Sequence, residues 1–543
     1  MTGPKPFAVT LEVGSSLANR TGNWRTERPV YVDRLPPCNH ACPAGEDPQG
    51  WLYLAEEGDY RSAWEHLVEA NPLPAVMGRV CYKPCETSCN RGQLDEAVGI
   101  NAVERFLGDE ALAHGWPLPA PGGSTGRSVL VVGAGPCGLS AAYHLRRMGH
   151  EVTVVDAGER PGGMMEAGIP AYRLPRSVLD AEVQRILDLG VRIFLDTRIS
   201  DVEAARVSGG YDAALVAVGA QVSHRTEIPA GDSARILDAL TVLRGGAGRV
   251  DLHLGRTVAV YGGGDTAFDA ARTARRLGAT DTVVVYRRAR QHMPAHESEI
   301  REATEEGIRM RWLSSIRRAD GGRLVLEKMI LDDEGFPQPT GELEELAADS
   351  LILALGQDTD LSLVEAVPGV EIRDGVIEVG PDLMTGHPGV FAGGDAAPGE
   401  RSVTKAVGHG ARAARRIDEW LRGVEYQPEP ARDLATYDRL NVWYYADAPR
   451  TVQPQLDAAR RRTVFDEVVG GLDRSNALFE ARRCLSCGNC LECDNCFGVC
   501  PDNAVIKLGP GRRYEINYDY CKGCGICVTE CPCGAIEMRP EPA

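Results

Sequence analysis

Seventeen cysteines are too few in 543 residues for a disulfide scaffold, and they are gathered rather than scattered. Five fall between Cys38 and Cys89, eleven between Cys484 and Cys533, and Cys137 stands alone. Near the end of the chain, Cys490-x-x-Cys493-x-x-Cys496-x-x-x-Cys500-Pro501 is repeated as Cys521-x-x-Cys524-x-x-Cys527-x-x-x-Cys531-Pro532. This spacing holds a pair of [4Fe-4S] clusters, the fourth cysteine of each run ligating the other cluster. The expected sets are Cys490, Cys493 and Cys496 with Cys531, and Cys521, Cys524 and Cys527 with Cys500. A tetrahedral zinc ion has no need of the crossed fourth ligand. The chemistry on offer is the transfer of single electrons.

The N-terminal cysteines carry the same chemistry at looser spacing. Cys42, Cys81, Cys85 and Cys89 are expected to hold a third cluster, and the last three would line one face of a continuous helix. Simple burial of reduced thiols is the competing account, common for one cysteine and a poor one for five. A helical stretch is expected over residues 51–68, after an extended arm that runs to about Arg34.

Two glycine turns lie between the cysteine groups. An apolar run, residues 129–132, ends at Gly133-x-Gly135-x-x-Gly138; an amphipathic segment and a second apolar run follow, closed by Asp156. Strand, turn, helix and strand in this order make a dinucleotide-binding unit. The glycines let the backbone approach a pyrophosphate at the helix N-terminus, and Asp156, 18 residues after Gly138, is placed for ribose hydroxyls.

A second unit follows, in which Gly262-x-Gly264-Asp265-x-Ala267 leads into another helix. Its next strand, residues 282–286, ends in Arg287-Arg288 where an NAD site would place a carboxylate. Two guanidinium groups suit a 2′-phosphate, so NADP(H) is expected, with NAD(H) as the alternative. A solvated basic surface beside Arg272, Arg275, Arg276 and Arg290 is the competing account. His292, His296, Glu297 and Glu299 are expected to be exposed polar residues near the nicotinamide, not a metal site.

The net charge of −18 argues against a nucleic-acid partner, whose phosphates it would repel. No apolar run approaches the ~18 residues that cross a bilayer, and no secretory signal is visible. With thiols at ligand spacing, a reducing cytoplasm is expected and no membrane partner.

The strings CNHACPAG, NPLPAVMGRVCYKPCETSCNRG and INAVERF resemble the glutamate synthase small-subunit family, shared with dihydropyrimidine dehydrogenase and the large subunit of NADH-dependent ferredoxin:NADP oxidoreductases. GGGDTA and VVYRRAR followed by HMPAHESEI are similar to its nicotinamide-domain pattern, and the likeness covers about residues 38–421. The resemblance implies that the first dinucleotide is FAD. RPGGMMEAGIPAYRLP, with Gly163, matches the flavin-proximal segment, and VFAGGD, with Gly394 and Asp395, matches the segment that reaches the flavin ribityl and pyrophosphate region. The former contains no cysteine, which argues against a disulfide reductase with its redox pair beside the flavin.

The family normally carries a Cys-x-x-Cys ahead of Cys38, and here that pair is missing. EARRCLSCG, with Cys484 and Cys487, looks like the missing segment relocated in sequence. Relatives use a non-cysteine ligand at the position of Glu104 in VERF, so the resemblance implies a fourth cluster on Cys38, Cys484, Cys487 and Glu104. The alternative is that the pair binds nothing or serves another chain. Cys137 and Cys533 are left over.

The fold expected is α/β: two Rossmann-like dinucleotide-binding domains with the NADP domain inserted in the FAD domain, a helical iron–sulfur domain before them and an α+β ferredoxin domain after them. The boundaries read as residues 1–120 for the helical domain, 127–245 and 350–421 for the FAD domain, 246–349 for the NADP domain, 422–480 for a charged linker and 481–543 for the ferredoxin domain. Residues 349–357 are read as the return to the FAD domain. Cofactors expected are FAD, NADP(H) and three to four [4Fe-4S] clusters. Two functions follow: an NAD(P)H:ferredoxin or acceptor oxidoreductase complete in itself, or an electron-transfer subunit docked on a dedicated partner protein, such as a glutamate synthase large subunit or a 2-oxoacid:ferredoxin oxidoreductase.

Overall fold

Two parallel sheets carry the two glycine turns. The structure, a computed structural model, describes residues 20–542 apart from 225, 232–234, 247–251 and 429; the first nineteen residues of the expected arm lie outside it. In the first sheet the strand order is Val390–Ala392, Ala213–Val216, Ser128–Val132, Glu151–Val155 and Arg192–Phe194, all parallel. Its central strands are apolar throughout because both faces are covered. Helices Pro136–Arg147 and Val403–Leu421 cover one face, and residues 361–367 pack on the other.

The second sheet runs Arg309–Arg311, Asp281–Val285, Thr257–Gly262, Ser350–Ala354 and Ile236–Asp238, again all parallel. Helix Asp265–Arg276 covers one face. A three-stranded antiparallel sheet, Ser314–Asp320, Arg323–Leu331 and Pro337–Ala347, covers the other. Strand Ser350–Ala354 therefore belongs to the second domain, not to the first as expected from residues 349–357, and Ile236–Asp238 joins it from before the expected boundary. Ser350–Ala354 is a short, largely apolar strand, and nothing in such a run tells which parallel sheet will take it. The passage between domains is the antiparallel pair Val222–Ser223 and Gln357–Asp358.

The helical domain packs Pro48–Glu56, Tyr60–Leu67, Pro74–Val80 and Ile100–Ala113 around Trp51, Trp64, Met77 and Phe106. The stretch expected as one helix over residues 51–68 is two, divided at Gly58, which takes φ +80°. The segment from Cys81 to Cys89 is not one helix either. Lys83 adopts φ 62° and Pro84 opens a new four-residue helix, Pro84–Thr87, so Cys81, Cys85 and Cys89 do not share a face.

The ferredoxin domain contains the hairpin Val505–Lys507 and Tyr514–Ile516, with two one-turn helices carrying Cys496 and Cys527. Strand Glu27–Tyr31 of the expected arm pairs antiparallel with Ile536–Pro540, from Glu27 opposite Pro540 to Tyr31 opposite Ile536. Its place is with the far end of the chain, not with the helical domain.

The expected linker over residues 422–480 is a strap that touches every domain before it. Glu467 pairs with Arg79 at 2.8 Å and Arg105 at 2.9 Å in the helical domain, and Val468 N–H donates to Tyr172 O in the flavin domain. Arg461 pairs with Glu305 in the nicotinamide domain, and helix Arg474–Ala481 joins the helical core. In the sequence it reads only as a charged linker because the partners of its charges lie far away along the chain.

Candidate functional site

The first glycine turn shapes a long cleft at the carboxyl end of the first sheet. Gly133 sits at φ +114°, where a Cβ would strike Ala217 O at 2.2 Å, and Gly135 caps helix Pro136–Arg147. Gly138 leaves no room for a side chain against Gly133 O. Gly163, at φ +55°, meets Gly135 so closely that a Cβ would lie 2.8 Å from its Cα. Asp156 closes the neighbouring strand, accepting from Ala134 N–H at 2.6 Å and Gly158 N–H at 2.7 Å. The cleft, about 760 Å³, is walled by Gly133, Asp156, Gly163 and Val218. Asp156, Gly163, Val218, Gly219 and Gln221 are also walls of an inner chamber of about 230 Å³.

The chamber is where the domains meet. Gly135, Cys137, Gly394, Asp395 and Ser402 line it from the flavin domain; Asp265, Thr266 and His296 line it from the nicotinamide domain; Val80 and Tyr82 line it from the helical domain. Gly394, at φ +66°, donates its N–H to His409 Nδ1, and burial lowers His409 to about 4. Burial raises the carboxyl of Asp395. Ser402 caps helix Val403–Leu421, whose N-terminus faces the chamber. A helix N-terminus favours negative charge developing on a bound ring. Cleft, chamber and the bare backbone at Gly135 and Gly163 fit a dinucleotide flavin. Among the described residues Cys137 is the thiol that lines this space.

The second turn is built alike. Gly262 takes φ +155° against Ala354 O, and Gly264 caps helix Asp265–Arg276, with Ala267 fully buried. Arg287 and Arg288 follow strand Asp281–Val285; Arg287 is exposed, and the Arg288 guanidinium lies 5.2 Å over the Phe336 ring. Of the residues after them expected to be exposed, Glu297 is, and Glu299 is not. Glu299 is buried and pairs with Arg173 at 2.9 Å and Arg272 at 3.3 Å, and His296 donates to Asp265. Arg173, Arg272 and Glu299 need one another because burial leaves them no water.

The thiols fall into four groups. Burial raises Cys490, Cys493 and Cys496, and Cys531 adds to each. Cys500, Cys521, Cys524 and Cys527 line one small void with Pro29 of the N-terminal strand. In each grouping the fourth thiol comes from the other run. Cys533, left over, lies 3.7 Å from Cys531 and lowers it to about 6.

The other two groups exchange a member. Cys38, Cys484 and Cys487 line a void with Cys89, not with Glu104. Glu104 stands beside Cys42, Cys81 and Cys85, and its charge adds to the burial that raises all three. Asn71 Nδ2 donates to Glu104 at 3.0 Å and also to a second buried carboxylate, Glu46, at 2.9 Å. Helix Pro84–Thr87 ends before Cys89, which continues in extended backbone and lies beside the relocated pair instead of on the face of Cys85. Among the described residues no three His, Cys, Asp or Glu side chains crowd closely enough for a single metal ion. Three thiols with a carboxylate, and three sets of four thiols, suit iron–sulfur cubes, whose corners stand wider than one ion's shell.

Sequence reasoning passed over Tyr82, Arg173 and Glu46. Only Tyr82, set between two candidate ligands in CYKPC, carried a signal of its own.

The flavin and nicotinamide domains, residues 127–410, match the family described as pyridine nucleotide-disulphide oxidoreductase. Residues 20–116 match dihydropyrimidine dehydrogenase domain II, 4Fe-4S cluster, and residues 514–537 a 4Fe-4S binding domain. The chain is 36% identical over 505 residues to the NADP(+)-dependent formate dehydrogenase subunit beta of Moorella thermoacetica, covering 83% of this chain and 70% of that one. It is 32% identical over 514 residues to the NADPH-Fe(3+) oxidoreductase subunit beta of Geobacter sulfurreducens, covering 84% and 76%. It is 32% identical over 392 residues to the NAD-dependent dihydropyrimidine dehydrogenase subunit PreT of Escherichia coli, covering 72% and 92%. Among the described residues no helix is long and apolar enough to cross a membrane.

Proposed function

The chain belongs to the pyridine nucleotide-disulphide oxidoreductase family and is an iron–sulfur flavoprotein oxidoreductase, and from that premise we propose that it passes electrons between NADPH and a partner protein. One observation carries the reading: both glycine turns open on a chamber whose third wall, Val80 and Tyr82, flanks Cys81. When bound, the flavin supplies the conversion between a two-electron hydride and the single electrons that clusters carry.

The residues' work is to bind and to position. Gly133, Gly135, Gly138, Asp156, Gly163, Gly394 and Asp395 hold FAD; Gly262, Gly264, Asp265, Ala267, Arg287 and Arg288 hold the nicotinamide dinucleotide. Thr404, in the first turn of the helix facing the chamber, hydrogen-bonds Cys81 and so ties the first cluster site to the flavin site. Cys42, Cys81, Cys85 and Glu104 form that site; Cys38, Cys89, Cys484 and Cys487 form the next. Only Gly488 and Asn489 separate Cys487 from Cys490, so the second site adjoins the third, and Cys521, Cys524, Cys527 and Cys500 complete the series. The exposure of Cys493 and Cys524 supports an exit in the C-terminal domain to a ferredoxin-like or dedicated partner. No general acid or base is needed for this chemistry.

The first test is anaerobic stopped-flow reduction by NADPH and by NADH, with Arg287→Ala/Arg288→Ala alongside. NADPH is expected to bleach flavin and cluster absorbance faster, and the double variant to lose about tenfold or more of that preference. A preference for NADH in the parent overturns the NADP assignment.

The three relatives are each named as a subunit, which supports a second element of the proposal: this chain works inside a hetero-oligomer. Co-purification with a larger protein is the expected result, and full ferredoxin turnover by the isolated chain would favour a self-sufficient enzyme. Cysteines at ligand spacing support a reducing cytoplasm as its compartment.

A further inference from the structure

Tyr82 ligates nothing, yet it is the residue between Cys81 and Cys85 that reaches the nicotinamide domain. Its ring lies flat on the imidazole of His296, with centroids 3.4 Å apart and planes at 3°. Each ring is held from behind. His296 donates its backbone N–H and its Nδ1–H to the two carboxylate oxygens of Asp265, both at 2.9 Å, and Asp265 opens the helix of the second glycine turn. On the other side Arg173 hydrogen-bonds Tyr82 and pairs with Asp269 at 2.7 Å and Glu299 at 2.9 Å. Stacking opposes separation of the two faces. The directional ion pairs of Arg173 oppose their sliding.

We propose that Tyr82 and His296 are a positioning pair for hydride transfer: their stack docks the nicotinamide domain against the segment bearing Cys81 and Cys85, so that a nicotinamide held at the Asp265 helix meets the flavin in one register. This rests on the reading of the chamber given above. Neither side chain exchanges hydride or proton. The pair acts through the placement of a whole domain, so its loss slows the chemical step more than it weakens binding.

Tyr82→Ala and His296→Ala are each expected to slow flavin bleaching by NADPH about tenfold, while the affinity for NADP+ changes less than about threefold. Tyr82→Phe keeps the ring and stays within about twofold of the parent rate. A second measurement needs no turnover: in the resting full-length protein, Tyr82→Ala raises hydrogen exchange across helix Glu297–Glu305 and leaves strand Ile536–Pro540 unchanged. Parent-like bleaching in both alanine variants, or parent-like exchange in Tyr82→Ala, overturns the proposal. So does a loss of affinity larger than the loss of rate, since the pair would then be binding the dinucleotide. If neither nicotinamide reduces the parent, the reading of the chamber fails and exchange alone decides the stack.

Discussion

The C-terminal thiols and the Cys38 group reach similar chemistry by opposite routes. Each C-terminal run places four cysteines within eleven residues, so covalent spacing brings them near one another before any tertiary packing. Cys38, Cys89, Cys484 and Cys487 come from three stretches of the chain, and their void closes only when the helical domain and the relocated segment pack together. Arg91 NH1 donating to Arg483 O and Asn90 Nδ2 donating to Ala435 O hold that junction. The two also differ in access: Cys493 and Cys524 are exposed, and none of the assembled four is. A locally encoded site can stand at the surface and meet a partner. An assembled one is suited to carry electrons through the interior, out of reach of other acceptors.

The contrast can be broken most directly by iron analysis. Cys484→Ala/Cys487→Ala is expected to lose about four irons per chain, and adding Cys89→Ala to lose no more, because all three serve one cluster. A further loss of about four irons on adding Cys89→Ala would return Cys89 to the Cys42 group.

A smaller effect is expected where the ends of the chain meet. Arg25 donates to both oxygens of Glu541, at 2.7 and 2.8 Å, and to Cys521 O at 2.9 Å. Arg25→Ala should weaken the hold of strand Glu27–Tyr31 by roughly 1–2 kcal/mol and quicken chelator extraction of the Cys521 cluster alone. Extraction that speeds equally at the assembled site would mean that the two regions are not separate folding units.

The smallest effect concerns pH. His144, fully enclosed at the seam between flavin and helical domains, donates Nε2–H to Ala70 O at 3.1 Å, and burial lowers it to about 4. A depressed folded pKa leaves its stability intact above the unfolded value near 6.5 and removes it as pH falls toward 4. At pH 5.5 the loss is about 1 kcal/mol, and His144→Gln should flatten that part of the melting-temperature profile. An unchanged acid limb in the variant would remove His144 from the account.

Much of the architecture was legible because it is written in local pattern. The turns at Gly133 and Gly262, the helices that follow them and the crossing of Cys500 with the Cys521 run all follow from spacing within a few dozen residues. Pro84 was legible too and went unread: a proline at that place breaks the helix on which Cys81, Cys85 and Cys89 were lined up. Strand Ser350–Ala354 was not legible as part of the second sheet, since a strand buried on both faces looks the same in either domain. The strap over residues 422–480 reads only as a charged linker because Arg79, Arg105 and Glu305, its partners, are distant in sequence.

The sequence by itself determined the kinds of chemistry: thiols at iron–sulfur spacing, two backbones bare enough for a dinucleotide, and no dithiol in the flavin-proximal segment. Tertiary structure alone decided which thiols share a void, that Glu104 stands beside Cys42 and not Cys38, and that Tyr82 lies on His296. The reason is physical. A residue's donor atoms and its near neighbours are fixed by covalent geometry, whereas the company it keeps across domains is set by which apolar faces bury each other.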